Sequence, residues 1–285
     1  MIKNTMSLKA KINNIAKKEN ISPQSVMQTY MLERLLERIS KSEYKDNFIL
    51  KGGMLISSII GIESRTTMDM DTTIKGVKLN ISNLKVILEK IIKIDIEDNI
   101  KFEIINIENI REDDSYGGLR VHLYAIFNDM PIDLKIDVTT GDKITYKEIN
   151  YKYNLLLEKR KIDIWSYNIE TIIAEKYESI INRGVLNTRL RDFYDVYMLE
   201  HLKKNNISNK TLKKAIIETA KHRNTYEIIN NKELVNDVIK FLSTDNSMLN
   251  QWKKYQKNYE YAKNIEYSSL IESLKSIKEE YFNKW

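Results

Sequence analysis

Hydrophobic and polar positions follow two different periods along the chain. In Met6–Glu19 and Pro23–Ser40, apolar side chains recur every three or four residues, as on one face of an amphipathic helix. Ser22 is a suitable N-cap, and a proline at the next position fits the first helical turn. The pattern therefore predicts two helices within a helical N-terminal extension, residues 1–45.

The middle of the chain is typical of β-strands. Short apolar or alternating runs bounded by polar turns predict strands at Phe48–Leu50, Lys101–Ile107, Leu119–Phe127 and Ile132–Val138. Asn128–Pro131 is predicted to be a hairpin turn, and Ser115–Gly118 a flexible entry to that hairpin. An apolar helix is predicted at Met54–Ile62 and an amphipathic helix at Ser82–Ile92. Residues 143–167 are predicted to connect two domains, with extended runs at Ile149–Leu157 and around Trp165.

The remainder of the chain has helical periodicity, with Asn168 as an N-cap. We expect a strong helix through Ile172 to Ile181. Further helices are predicted at Arg189–Leu202, Thr211–His222, Lys232–Leu242 and Ser268–Tyr281. The change of period predicts an α+β protein with an N-terminal domain at 1–165 and a helical C-terminal domain at 166–285.

Composition narrows the class of protein. The 285 residues are 42% hydrophobic and 30% charged, which is typical of a globular protein with a sizeable core. A formal charge of +6 permits nucleic-acid or nucleotide binding without demanding it. There is no cysteine, no apolar run of membrane-spanning length and no N-terminal signal-peptide pattern. We therefore expect a cytoplasmic protein with no membrane partner.

Two alternating acids, Asp69 and Asp71, are candidate ligands of a metal ion. In a strand with a period of two, both carboxylates point to the same side and repel each other unless a cation lies between them. Oxygen ligands suit Mg²⁺. A solvated loop is the simplest alternative. A calcium loop is unsuited, because Ile74 and Asn80 stand where its Gly and Glu belong.

The same acids also fit the D-x-D-x-T pattern of aspartate-nucleophile phosphatases. That pattern follows a hydrophobic strand, whereas here the preceding residues, 63–67, are polar. The context therefore disfavours a phosphatase.

Gly52 and Gly53 follow a predicted strand and precede a predicted helix. Such glycines either form a simple tight turn or let a phosphate approach backbone N–H groups at the helix start. No Walker motif is present.

Further along, Asp133, Lys135 and Asp137 share one strand face. That face is either a solvated surface or the source of a third carboxylate for one or two Mg²⁺ ions.

Downstream charged and aromatic residues have ordinary structural explanations. Lys176 and Arg183 share a helical face, and Arg191 and Asp195 have the spacing of an exposed ion pair. Residues 252–263 interleave aromatic residues with lysines, which favours an amphipathic helix with a buried aromatic side. A basic stacking surface for single-stranded RNA is the alternative. The three histidines are scattered without zinc-site spacing.

Four blocks in order resemble one family. They are Lys51–Gly53 with Arg65-x-Thr67-x-Asp69-x-Asp71, then Ile132–Val138, then Glu170–Arg183, then Arg191–Tyr197. Together they resemble the AbiEii/AbiGii toxin group of the DNA polymerase β-like nucleotidyltransferases, over about residues 48 to 200. Gly53 stands where part of the group has serine, so no hydroxyl is available there.

This resemblance implies a nucleotidyltransferase-type mixed β-sheet flanked by helices. It also implies a Mg²⁺-dependent toxin of an abortive-infection, phage-defence or type IV toxin–antitoxin pair, which transfers NMP from an NTP (GTP or CTP among the candidates) to the 3′ end of an RNA, with tRNA expected. The antitoxin would be a separate chain. A phosphotransferase acting on a protein or small molecule, and a non-catalytic NTP- or RNA-binding module, are the alternatives.

The resemblance also assigns roles to residues. Asp69, Asp71 and Asp137 would hold metal, and Lys176 and Asp192 would complete the catalytic site, with Asp195 as an alternative to Asp192. The NTP would be bound by Lys51, Gly52, Gly53, Arg65, Thr67 and Arg183. The resulting expectation is that Lys176 and Asp192 face Asp69 and Asp71 across one cleft.

Overall fold

The computed structural model describes residues 4–110 and 117–283, which form two compact units. The first, the sheet unit, contains the described residues up to Asp142 together with Glu148–Ser166. The second, the helical unit, contains Lys143–Lys147 and the described residues from Tyr167 onward. The assignment of 1–165 and 166–285 as functional domains stays a prediction.

The sheet unit is built on a mixed seven-stranded sheet. Its strands are β1 (Phe48–Lys51), β2 (Asp69–Ile74), β3 (Ile100–Asn109), β4 (Leu119–Phe127), β5 (Met130–Thr140), β6 (Ile149–Asn154) and β7 (Lys161–Ser166). Their order is β3-β4-β5-β2-β1-β7-β6. The β2–β5 and β1–β7 pairs are parallel, and the other neighbours are antiparallel. The predicted α+β class with a mixed sheet is confirmed.

Alternation along β4 shows how the sheet acquires two chemically different faces. Leu119, Val121 and Leu123 are buried, whereas Arg120 and His122 between them are half-exposed. Strands with a period of two place these two sets on opposite faces. One face therefore enters the core, and the other carries polar side chains next to Asp69 and Asp71.

Four helices belong to the sheet unit: α1 (Thr5–Glu19), α2 (Pro23–Lys41), α3 (Gly52–Ile60) and α4 (Ile81–Ile92). Ser22 caps α2 as predicted, with the Ser25 N–H donating to its hydroxyl oxygen at 3.0 Å. A capping side chain satisfies a backbone donor that the helix itself leaves unpaired. The apolar faces of α1 and α2 are buried, which confirms both predicted helices.

The helical unit contains seven α-helices among the described residues. They are α5 (Ile169–Arg183), α6 (Leu190–Lys203), α7 (Asn209–His222), α8 (Tyr226–Ile229), α9 (Lys232–Thr244), α10 (Asn246–Asn258) and α11 (Tyr267–Phe282). Asn168 caps α5 as predicted, accepting from the Thr171 N–H at 2.8 Å. No helix among the described residues is both long and apolar enough to cross a membrane.

The extended runs predicted within residues 143–167 are confirmed as β6 and β7. They belong to the sheet rather than to a connection between domains, because β7 pairs directly with β1. The hairpin turn is shorter than predicted. Asn128 and Asp129 form it with φ of 46° and 64°, and Pro131 already pairs with Ile126 in the sheet. Of the predicted hairpin entry, Ser115 and Tyr116 lie outside the described residues.

Candidate functional site

Asp69 and Asp71 lie on β2 and point to the same face of the sheet. Both side chains are half-buried, with Met70 between them fully buried on the other face. In the parallel β2–β5 ladder, Asp69 lies opposite Lys135 and Asp71 opposite Asp137. The expectation that a second carboxylate-bearing strand lies beside the first is thereby confirmed.

The glycine turn is built around the carboxylate of Asp71. Gly52 has a φ of +64°, a left-handed conformation, and a Cβ at this position would come within 2.0 Å of Asp71 Oδ2. The backbone N–H of Gly53 donates to the same oxygen at 3.2 Å. The turn is therefore a tight strand-to-helix connection. In this arrangement the Gly53 N–H donates to Asp71, so it is not available to a phosphate.

The surroundings of Asp71 both raise and lower its pKa. Burial raises its pKa, and the neighbouring Asp137 and Asp69 carboxylates add to that effect. The Gly53 N–H and the Lys51 ammonium oppose the shift, and the net pKa lies above the ordinary value. Burial is thus the largest cause of the raised pKa of Asp71, and the neighbouring carboxylates add to it.

Lys51 and Arg65, both expected to bind nucleotide, already have protein partners. Lys51 Nζ donates to Asp142 Oδ2 at 2.7 Å, and Asp142 also accepts from the Thr139 hydroxyl. Arg65 is 3% exposed and donates to the Thr66 carbonyl, while its guanidinium lies close to Gly53. Lys51, which directly precedes the turn, and Arg65, which lies close to Gly53, therefore bring positive charge to the glycine turn.

Thr67 completes the surroundings of the turn. It is buried, its hydroxyl donates to the Asp69 carbonyl at 3.3 Å, and a Cβ on Gly53 would come within 2.7 Å of its Oγ1. The structure thus brings Lys51, Gly52, Gly53, Arg65 and Thr67 together with Asp69 and Asp71.

Asp137 has a strong partner that the sequence reading missed. Arg120 on β4 binds its carboxylate through two hydrogen bonds of 2.8 and 2.7 Å, a bidentate geometry. No cluster of three or more metal-ligating side chains occurs within residues 4–110 and 117–283. The assignment of Asp137 as a metal ligand stays a prediction.

The donor set nevertheless fits a Mg²⁺ ion. Magnesium keeps several waters and is typically bound by one or two carboxylates together with substrate phosphates. Asp69 and Asp71 place two carboxylates on one sheet face, next to that of Asp137. These two residues would hold the ion.

In the helical unit, Lys176 lies between two acids. Its Nζ is 2.8 Å from Asp192 Oδ1 and 2.8 Å from Asp195 Oδ2. Burial alone would lower the pKa of Lys176, but the two carboxylates outweigh it and the pKa is raised. Both Asp192 and Asp195 thus hold the same ammonium group, and the assignment of Asp192 rather than Asp195 to the catalytic site stays a prediction.

Asp192 also pairs with a second cation. The partly exposed Arg189 reaches its Oδ2 with Nε at 2.9 Å, and both acids are buried. Arg183 lies two helical turns from Lys176, at the C-terminal end of α5, where it lines a separate pocket with Phe241. The structure does not bring Arg183 into the Lys176 cluster.

The aromatic residues near the C-terminus pack mainly against each other. Trp252 and Tyr255 are buried and stack with ring centroids 5.2 Å apart. Tyr259 is half-buried, and its hydroxyl accepts from Arg191, whose guanidinium also lies over the ring at 5.3 Å. This arrangement favours the buried aromatic side over the RNA-stacking surface.

Comparison with known proteins identifies the family. The family model for the nucleotidyl transferase AbiEii toxin of type IV toxin–antitoxin systems matches residues 34–273. The chain belongs to this family. The resemblance of the four motif blocks is thereby confirmed, and with it a toxin nucleotidyltransferase whose family implies a nucleotide substrate and an antitoxin partner.

Other comparisons are weaker. The crystal structure of JHP933 from Helicobacter pylori is similar at 16% identity and a TM-score of 0.48, covering 91% of this chain and 94% of that one. A putative nucleotidyltransferase from H. pylori is similar at 15% identity and a TM-score of 0.47, covering 92% and 97%. None of the curated proteins compared with the chain matches it significantly.

Arg120, Asp142 and Arg189 join these clusters without having been predicted. Arg120 alternates with buried residues on β4, so the sequence predicts that it lies on the polar face. Its partner Asp137 on β5 depends on the register of the hairpin, which the sequence does not give. Asp142 follows a strand end, and nothing local links it to Lys51. That Lys176 and Asp192 face Asp69 and Asp71 stays a prediction from the resemblance.

Proposed function

We propose that this AbiEii-family protein transfers a nucleoside monophosphate from an NTP to the 3′ hydroxyl of an RNA, with tRNA as the expected acceptor. The 3′ oxygen attacks the α-phosphorus, the bond to the β-phosphate breaks, and pyrophosphate and a proton are released. The observation that carries the proposal is the position of Asp69 and Asp71 beside the Gly52–Gly53 turn, in a family of nucleotidyl transferases.

The sheet unit offers complementary groups for an NTP–Mg²⁺ complex. Mg²⁺, held by Asp69 and Asp71, would neutralise charge on the attacking and leaving oxygens. Lys51 and Arg65 place positive charge beside the turn. A triphosphate arriving there would compete with Asp142 for Lys51 and draw the ammonium toward the phosphates. The resemblance assigns Lys176 to the same reaction as a triphosphate contact.

Separately α-labelled NTPs, incubated with the protein, Mg²⁺ and total tRNA, test this proposal. We expect label in RNA with the wild type and at least about a 100-fold loss with Asp69→Asn, because removing a metal ligand costs several kcal/mol of transition-state stabilisation. Asp163→Asn, an exposed acid on β7 of the same sheet, is the matched control and should keep full activity. EDTA should stop labelling, and excess Mg²⁺ should restore it.

Two results would contradict the proposal. One is absence of label in RNA with all four NTPs. The other is an Asp69→Asn variant that labels RNA as fast as the wild type. Transfer of a γ-label to a protein or small molecule would instead indicate the phosphotransferase alternative.

A further inference from the structure

A groove of about 770 Å³ lies on the polar face of the sheet, and Asp69 is one of the residues that line it. Gln28, Asn106, His122, Tyr124 and Lys135 contribute to its walls, and we call it the sheet groove. Its volume lies in the range of small-ligand sites. Residues 34–273 match the family model, so Gln28 comes from the N-terminal part of the chain before that match.

Strand register connects the groove to the site. One row of paired residues crosses four neighbouring strands. It runs from Asn106 on β3 to His122 on β4, then to Lys135 on β5 and Asp69 on β2. The row therefore leads from the outer strand directly to one of the two predicted metal ligands. A ligand that fills the groove therefore lies beside Asp69.

The order of the strands indicates which of the two substrates, the NTP or the RNA acceptor, lies in the sheet groove. The Gly52–Gly53 turn follows β1, on one side of β2, whereas the groove extends over β5, β4 and β3 on the other side. In phosphoryl-group transfer the attacking and leaving oxygens lie roughly in line, on opposite sides of the phosphorus. With the leaving phosphates at the glycine turn, the sheet groove lies on the side of the attacking 3′ hydroxyl.

Gln28 has an unsatisfied acceptor at this groove. It is 8% exposed, and its Nε2 donates to the Asp133 carbonyl at 3.3 Å, which fixes the orientation of the amide. Its Oε1 is buried and has no hydrogen-bond partner among the described residues. A buried, unpaired carbonyl oxygen costs free energy, so a ligand N–H that reaches it is favoured.

Charge in the groove favours a nucleoside over a run of phosphates. Among the described residues lining it, Asp69, Glu108 and Asp133 are acidic, against the cation of Lys135. His122 is bound to Glu108, with Nε2 3.0 Å from Oε1. A backbone-binding surface would need several cations, whereas a base and a ribose offer N–H and O–H donors that suit acidic and amide acceptors.

We propose that the sheet groove binds the 3′-terminal nucleoside of the RNA acceptor, with its base against Tyr124 and an exocyclic amino group donating to Gln28 Oε1. This inference rests on the proposed function, because the leaving phosphates define the two sides of β2. It predicts a preference for a terminal adenosine, cytidine or guanosine over uridine, which has no exocyclic amino group.

Equilibrium binding tests the inference without requiring transfer. The probes are 5′-fluorescein RNA hairpins with one 3′ overhang that ends in adenosine, uridine or an abasic ribose, measured by anisotropy. For the wild type we expect the adenosine end to bind about 10-fold tighter than the abasic end, from base stacking and one hydrogen bond. The uridine end should lie between them.

Two variants separate the contribution of the hydrogen bond to Gln28 from that of base stacking on Tyr124. Gln28→Met should lower the adenosine-over-uridine ratio to the value that the difference in base stacking alone supplies, and Gln24→Met, at an exposed glutamine on the same helix, is its matched control and should keep the wild-type ratio. Tyr124→Ala should bring adenosine and uridine ends close to the abasic value, while Tyr124→Phe, which keeps the ring, should behave as the wild type. Circular dichroism checks that each variant is folded.

The inference is overturned if the wild type binds all three ends equally, or if folded Gln28→Met and Tyr124→Ala keep its preferences. Its failure is distinct from that of the proposed function. RNA labelling that depends on Asp69, together with equal binding of all ends, would reject the groove alone. A terminal-base preference that depends on Gln28, without any labelling, would reject transfer alone.

Discussion

Lys176 shows how a single buried side chain can be structural and chemical at once. Its ammonium is the shared partner of Asp192 and Asp195, both nearly inaccessible to solvent. Removing one member of a buried ion cluster leaves uncompensated charge, which typically costs about 3–5 kcal/mol. Loss of toxicity in a Lys176 variant is therefore no evidence of catalysis unless stability is measured too.

We predict that Lys176→Met lowers the free energy of unfolding by about 3–5 kcal/mol in urea titrations at pH 7. Adding Asp192→Asn and Asp195→Asn should recover most of that loss, because the buried negative charges are then gone. Lys253→Met, at an exposed lysine on α10, should change stability by less than about 0.5 kcal/mol. An unchanged unfolding midpoint for Lys176→Met would contradict this account.

Glu33 on α2 should make stability depend on pH. Burial raises its pKa to about 8 from the ordinary 4.5, although the Leu156 N–H donates to both its oxygens at 3.0 Å and Arg34 lies nearby. Between these two pH values the unfolded chain releases a proton that the folded chain retains. Its contribution to the free energy of unfolding therefore falls as pH rises through this window.

The prediction is that Glu33→Gln flattens this fall, which for one group is at most about 1.4 kcal/mol per pH unit. Urea midpoints at pH 5, 6, 7 and 8 measure the difference between variant and wild type. Glu43→Gln, which removes an exposed acid, should keep the wild-type slope. Identical slopes for Glu33→Gln and wild type would show that Glu33 is ionised in the folded protein.

At the scale of elements, the connection from β1 to α3 positions an acid on β2. Gly52 leaves room for Asp71, and the Gly53 N–H holds the acid in place. A side chain at Gly52 would meet strain from the positive φ and a direct clash with the carboxylate. Gly76 provides a comparison, because its φ is +74° but a Cβ there would approach only Asn47 Nδ2, at 3.3 Å.

We therefore predict that Gly52→Ala and Gly76→Ala both lose about 1 kcal/mol of stability from the left-handed backbone. Only Gly52→Ala should also lose RNA labelling, by about 100-fold or more, because it displaces a predicted metal ligand. Thermal unfolding and the α-label assay measure the two effects. Equal labelling by both variants would mean that the position of Asp71 is not critical.

Strand pairing explains why the sequence predicts the extended runs of β6 and β7 but not their place in the sheet. Their alternation is short, and their residues mix apolar side chains with lysines and asparagines. What stabilises them is the pairing of β7 with β1, more than 100 residues earlier in the chain. A period-2 pattern predicts a strand but does not name its partner.

At the scale of the whole molecule, the expectation that Lys176 and Asp192 act together with Asp69 and Asp71 remains to be measured. Fe²⁺ in place of Mg²⁺, with ascorbate and peroxide, cuts the backbone near a bound metal ion. We expect cleavage near residues 52 and 70 and also near 176 and 192. The Asp69→Asn/Asp71→Asn double variant should show none of these cuts. Cleavage confined to the sheet unit would contradict the expectation.

The sequence by itself determined most helices and strands, because periodicity and capping are local properties. It also placed Asp69 and Asp71 on one face, and its ordered motifs led to the family. Only the tertiary structure decided which groups meet: Arg120 with Asp137, and Lys51 with Asp142. Such pairs depend on sheet order and strand register, which are set by packing between distant segments rather than by the residues next to each side chain.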